Sequence, residues 1–190
     1  AYPDFKNDSK FNNLTENTME ILFKANSFPN TLNTLMGIES NYLLRIGDAT
    51  IPNNQLQVAT SVNNCTSADL QLESGKWYHV AVAFNKGNVK VYINGVEKLS
   101  GSTGKSSVSL GAKHTNEEDG SRCFWVGYSY KDDRYFDGVV SEVRIWNRAL
   151  TAEEIQATNH FYTIEPESEG LIAYWKFDEG SGTVAKDYSV

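Results

Sequence analysis

This sequence has little of what catalytic and nucleic-acid-binding chains usually display. Its 190 residues hold only two cysteines and three histidines. His79, His114 and His160 lie far apart, and no Ser/His/Asp set or cysteine in a nucleophile setting emerges from them. Lysine and arginine form no cluster and the net charge is −7, whereas phosphate recognition needs a concentrated positive footprint. Nucleic acid is therefore excluded as a partner. No apolar run is long enough to cross a bilayer, and the first residues show no charged-then-apolar leader pattern. Helical periodicity is nearly absent, which excludes a parallel α/β fold. Cys65 and Cys123 leave two readings open, a single disulfide or two small buried hydrophobes. The sequons at Asn7, Asn13 and Asn64 matter only in a glycosylating host.

What the chain does have is alternation. In Gly75–Ser100, Tyr78, Val80, Val82 and Phe84 fall on every second residue, and Val89, Val91 and Ile93 repeat the pattern after Asn85-Lys86-Gly87-Asn88. Asn94-Gly95 then reverses the chain, as a type I′ turn needs positive φ at both central positions. This predicts a three-stranded antiparallel meander with one buried face. Further strands are expected at Thr18–Phe28, in two pieces around Glu39-Ser40-Asn41, at Gln55–Val62, at Cys123–Ser129, at Gly138–Trp146 and at Leu171–Asp178. A short one is expected near Ser106–Leu110. Residues 1–17 are polar and aperiodic, and are expected to be a loosely ordered arm. One helix is signalled near Thr151–Asn159, where Thr151 and Glu154 spell a capping box. Ten or more strands with one short helix define an all-β, two-sheet sandwich, and 190 residues suit one such domain. Ten tyrosines and four tryptophans exceed what strand propensity needs, leaving material for a binding surface.

Three blocks carry a family resemblance. The first is Gly75-Lys76-Trp77-Tyr78-His79-Val80-Ala81 with Val91-Tyr92-Ile93-Asn94-Gly95. The second is Phe136-Asp137-Gly138 followed by Ser141-Glu142-Val143-Arg144-Ile145-Trp146-Asn147-Arg148-Ala149-Leu150 and Thr151-Ala152-Glu153-Glu154-Ile155. The third is Ala173-Tyr174-Trp175-Lys176-Phe177-Asp178-Glu179-Gly180-Ser181-Gly182 with Lys186-Asp187-Tyr188-Ser189. Together they resemble a laminin G-like domain of the concanavalin A-like lectin/glucanase superfamily. The resemblance implies a jelly-roll sandwich of two curved antiparallel sheets. It also resembles the extracellular versions common in Bacteroidetes, which implies an extracytoplasmic location beside glycan-utilisation systems. One departure is the block order. In such domains the third block usually opens the module, whereas here it comes last. Residues 171–190 are expected to close this sandwich as a permuted strand; the alternative is that they begin a second repeat.

The superfamily includes retaining glucanases, which use two carboxylates roughly 5 Å apart. Here Glu142 shares its strand face with Val140, Arg144 and Trp146, and no second acid joins it. Glu142 and Arg144 are expected to form a structural ion pair, and the chain is expected not to be an enzyme. Related domains often hold Ca²⁺ on hard oxygen ligands. The resemblance points to Asp137 and Asp187 as ligands, although Ser141 stands where relatives usually carry aspartate. Acidic loops at Glu117-Glu118-Asp119 and Asp132-Asp133 are an alternative source. For sugar, Tyr130 and Tyr135 bracket Asp132, Asp133 and Arg134 in a loop at a sheet end, with Trp125 and Tyr128 nearby. Rings stack on sugar C–H faces while charged groups pair with hydroxyls. Trp77, Trp146 and Trp175 are expected to be packing residues. The expected function is non-catalytic, lectin-like binding of a glycan. The alternative is a structural or adhesive domain that binds a surface protein, and a glycoside hydrolase is the third reading.

Overall fold

The computed structural model describes residue 5 and residues 8–111, 124–129, 132–161 and 164–190. Eleven strands follow one another: β1 (Glu16–Ala25), β2 (Asn33–Ile38), β3 (Tyr42–Asp48), β4 (Ile51–Thr60), β5 (Asn64–Cys65), β6 (Trp77–Asn85), β7 (Asn88–Ile93), β8 (Val96–Ser102), β9 (Trp125–Val126), β10 (Gly138–Trp146) and β11 (Leu171–Trp175). They build a six-stranded sheet in the order β11-β10-β1-β6-β7-β8 and a five-stranded sheet in the order β5-β4-β3-β2-β9. All strand pairs are antiparallel. The fold is an all-β jelly-roll sandwich.

Alternation decides which side chains enter the core. Met19, Ile21 and Phe23 of β1, Val80, Val82 and Phe84 of β6, and Val143 and Ile145 of β10 face Tyr42, Leu44, Ile46, Leu56 and Val58 of the opposite sheet. These side chains are essentially inaccessible to solvent. Burying each stabilises the fold by roughly 1.5–3 kcal/mol relative to exposure. The turns match their sequences. Asn94 and Gly95 have φ of 51° and 78°, and Lys86 and Gly87 have 46° and 97°, so both hairpins reverse through two left-handed residues.

Four sequence expectations need correction. The helix α1 spans only Ala152–Gln156, because Ala157 turns extended and a 3₁₀ turn, Thr158–Phe161, takes over. Thr158 and Asn159 are weaker helix formers than the residues before them. The capping box itself forms, with Thr151 Oγ1 accepting from the Glu154 amide and Glu154 Oε2 from the Thr151 amide. The last strand stops at Trp175, and Phe177 adopts a positive φ of 51°. Near Ser106–Leu110 a single bridge, Val108 with Leu14, replaces a strand. Finally, the described part of the N-terminal arm is packed, not loose. The rings of Phe5 and Phe11 stack 3.8 Å apart, both buried, and Phe5 lies 6.1 Å from Trp175.

A second, smaller apolar cluster lies on the outer face of the six-stranded sheet. Ala81, Ala83, Tyr92, Trp146, Leu171 and Tyr174 are covered there by Leu150, Ile155 and Ile164 from α1 and its flanks. This places the helix over β1, β6 and β10. Cys65 carries a free, buried thiol that donates to the Ser102 carbonyl, and Cys123 lies outside the described residues.

Candidate functional site

The outer face of the five-stranded sheet carries a charged strip that the strand register dictates. Leu44 and Ile46 point into the core, so Arg45 between them points outward, and it pairs across the ladder with Thr34 and Gln57. Thr34, Arg45 and Gln57 are all buried. The Arg45 guanidinium donates from Nε to Gln57 Oε1 at 2.9 Å and meets Glu39 Oε1 at 3.3 Å and the carboxylate of Asp48. Burial lowers the Arg45 pKa from its ordinary range, against the opposing pull of Asp48 and Glu39. Glu39 in turn holds Arg134, whose Nη1 lies 2.8 Å from Oε2. That contact anchors the 3₁₀ turn Asp132–Arg134 against the sheet.

The predicted sugar-binding loop therefore sits on this strip. Arg134 is largely covered, Asp133 is open to solvent, and Tyr135 is 43% exposed with its carbonyl fixed by Asn30 Nδ2 at 3.0 Å. Trp125 is nearly buried and packs its ring 5.0 Å from that of Tyr128. Tyr130 and the side chain of Asp132 lie outside the described residues. Sequence reading missed Arg45, Glu39, Asp48 and Gln57. The signal was present, since an arginine inside Tyr42-Leu43-Leu44-Arg45-Ile46 falls on the face opposite the core residues.

The two predicted metal ligands do not come together. Asp137 accepts from Ser27 Oγ at 2.5 Å and Asn26 Nδ2 at 3.2 Å, bonds that hold its carboxyl below the usual carboxylate range. Asp187 accepts the amides of Tyr174 and Ser189, each at 2.9 Å. Asp187 bridges to Trp175, which pairs with Val143, while Asp137 precedes the start of β10. The six positions between them along β10 correspond to about 20 Å. These residues do not form one Ca²⁺ site. Glu117, Glu118 and Asp119 lie outside the described residues.

A second polar constellation lies behind α1, and it corrects the reading of the histidines as scattered. Glu20 of β1, His79 of β6 and His160 of the 3₁₀ turn after α1 meet on the outer face of the six-stranded sheet, all buried. Glu20 Oε1 lies 2.6 Å from His160 Nε2 and 3.1 Å from His79 Nε2. Its other oxygen accepts from Trp146 Nε1 at 2.7 Å, with Arg144 Nη1 at 3.9 Å. Burial alone would raise the Glu20 pKa, but the contacts with His160 and His79 outweigh it and hold the carboxyl far below its ordinary value. Arg144 also donates to the His160 carbonyl at 2.7 Å and pairs with Glu142, which accepts from Tyr174 Oη at 3.2 Å. The expected Glu142–Arg144 pair is thus present, inside a larger network. Replacing Glu142 with glutamine is expected to cost about 2 kcal/mol, lowering Tm by roughly 4–8 °C. An unchanged melting curve would remove the pair from any structural role.

Among the tryptophans, Trp146 and Trp175 are packed as expected, but Trp77 is 47% exposed. It lies beside Lys24, which pairs on its other side with Val139, itself 45% exposed. Outward register explains this, because Trp77 shares a strand face with His79 and not with Tyr78. No helix among the described residues is long and apolar enough to cross a membrane.

Residues 2–156 match the family model of the concanavalin A-like lectin/glucanases superfamily. A Bacteroides ovatus protein whose carbohydrate binding is itself an inference is 30% identical, with a TM-score of 0.76, and the match covers 98% of this chain and 51% of that one. Domain 4 of an extracellular arabinanase from Geobacillus stearothermophilus, solved with arabinotriose, is 26% identical over 75% of this chain and 65% of its own, with a TM-score of 0.56. A human adhesion G-protein coupled receptor D1 is 34% identical over 85 residues, which are 42% of this chain and 8% of the receptor. The chain thus spans about half the Bacteroides protein and a small part of the receptor. A heptameric pentraxin from Limulus polyphemus shares the fold alone, at 17% identity over 93% of this chain and 82% of its own, with a TM-score of 0.59. Two antiparallel sheets in this topology and a family match over most of the sequence lead to one conclusion: the chain belongs to the concanavalin A-like lectin/glucanase superfamily.

Proposed function

We propose that this chain is a non-catalytic, extracytoplasmic carbohydrate-binding module, and that sugar meets it at the loop carrying Asp133, Arg134 and Tyr135. One observation carries the reading: Tyr135, 43% exposed, directly follows Arg134, whose guanidinium is held by Glu39 of the largely covered Glu39–Arg45–Asp48 network. A ring beside anchored polar groups suits a ligand with an apolar C–H face and a rim of hydroxyls. The arabinotriose complex of the arabinanase domain, a relative at 26% identity, supports the same ligand class. The lack of catalysis is inferred from the carboxylates. Glu39, Asp48 and Glu142 are each held in an ion pair with a guanidinium, so none of the three stands free to act on a sugar.

Glycan-array screening of the chain, with and without chelator, tests the proposal. Binding to a plant or microbial polysaccharide class is expected, and Tyr135→Ala is expected to weaken it about tenfold, as loss of one stacked ring would. Silence across the array, or a Tyr135→Ala variant that binds unchanged, overturns the site. A glycosidase assay with Glu142→Gln as control addresses catalysis. The second reading, an adhesive domain docking on another protein surface, is favoured by the adjacent exposed Trp77 and Val139 on the opposite sheet.

A further inference from the structure

The Glu20–His79–His160 cluster takes no part in the sugar-binding reading, which concerns the other sheet. Its three potential ligand atoms lie within 4.8 Å of one another and come from three separate elements. One carboxylate oxygen and two imidazole nitrogens suit zinc, whereas calcium prefers oxygen alone. Around a tetrahedral zinc with bonds near 2.0–2.2 Å, adjacent donor atoms stand roughly 3.3 Å apart. The separations here, 2.6 Å and 3.1 Å from Glu20 Oε1, need to open by about 0.7 Å and about 0.2 Å to reach that spacing, and the two imidazole nitrogens lie within 4.8 Å of each other.

Three independent features accompany the donor set. First, His79 is 5% exposed, yet neither ring nitrogen makes a hydrogen bond, its Nε2 approaching Glu20 too far off axis. Idle buried polar groups of this kind are costly, and ligation would occupy one. Second, the outer shell is built. Trp146 Nε1 fixes the oxygen of Glu20 that the histidines do not touch, and Arg144 fixes the backbone of His160. Third, one of the three donors borders open space. His160 lines a cavity of about 210 Å³ with Trp146, Arg148, Glu154 and Ser168.

We propose that the chain binds one zinc ion through Glu20 Oε1, His79 Nε2 and His160 Nε2, with a water completing the tetrahedron. The ion would tie the turn after α1 to β1 and β6, a structural role. Dialysis against Zn²⁺ followed by elemental analysis, with calorimetric titration of the same chain, is the test. About one Zn²⁺ per chain is expected, together with a rise in Tm that chelator reverses and that Ca²⁺ does not reproduce. His79→Gln and His160→Gln are each expected to reduce bound zinc to background while circular dichroism still reports a β fold. Failure of the wild-type chain to hold zinc overturns the site, as does retention of full stoichiometry in both variants. Neither outcome touches the glycan reading, which the array decides separately.

Discussion

Glu20→Ala, measured by denaturant unfolding in chelator, is expected to lose about 3–5 kcal/mol of stability. The carboxylate is fully buried on the outer face of the six-stranded sheet and serves Trp146, His160, His79 and Arg144 at once. Its removal leaves the Trp146 indole N–H and the His160 ring without their acceptor in a place water does not reach. It also takes a compensating negative charge from Arg144, which is 2% exposed and keeps Glu142 as its ion-pair partner among the described residues. A buried cation that loses a partner is among the costliest single changes a fold meets. Glu20→Gln separates shape from charge: it keeps the volume and one acceptor, and is expected to recover only part of the loss. A midpoint unchanged in Glu20→Ala would show that the network adds nothing to stability.

Ending the chain after Gly170 is expected to abolish cooperative unfolding. β11 pairs with β10 through Trp175–Val143, Tyr174–Arg144 and Ala173–Ile145, and all five of its residues are buried. Ile172 and Trp175 enter the main core, where Trp175 meets Phe5, while Leu171 and Tyr174 pack under α1. Four large side chains at roughly 1.5–3 kcal/mol each amount to most of the 5–15 kcal/mol that a domain commands. The truncated chain would also expose the ladder of β10 as a free edge. Thermal scanning and size exclusion are the measurements. A soluble, cooperatively melting fragment would show that this terminal segment is dispensable. The segment lies beyond the residues that match the family model, which end at 156, yet it is hydrogen-bonded into the sheet.

The strands were most legible where apolar residues alternate, as in β6 and β7. The meander Trp77–Ser102, the partners β1 and β10, and the capping box at Thr151 all follow from period and turn chemistry. What the sequence concealed was the outer face of the six-stranded sheet. Ala81, Ala83, Glu20 and His79 occupy positions that alternation assigns to solvent, and only the fold of residues 150–164 back over them makes them a second core. His79 and His160 are distant in sequence but neighbours in space, since the turn after α1 returns to the strand that carries His79. The N-terminal arm misled for a related reason. Two phenylalanines in a polar stretch have no period, yet Phe5 and Phe11 fill the end of the sandwich. For the loop at Asp132–Tyr135, residue types suggested the sugar chemistry proposed above, while the anchoring strip under it depended on which neighbours the register supplied.

The five-stranded layer has flanking members of two residues each, Asn64–Cys65 and Trp125–Val126. The two short members themselves offer a foreign chain little continuous ladder to extend. The long outermost ribbon, Val96–Ser102, carries Glu97 and Lys98, charges that discourage self-recruitment. Short flanking strands and edge charges of this kind disfavour pairing of one copy with another through the described edges.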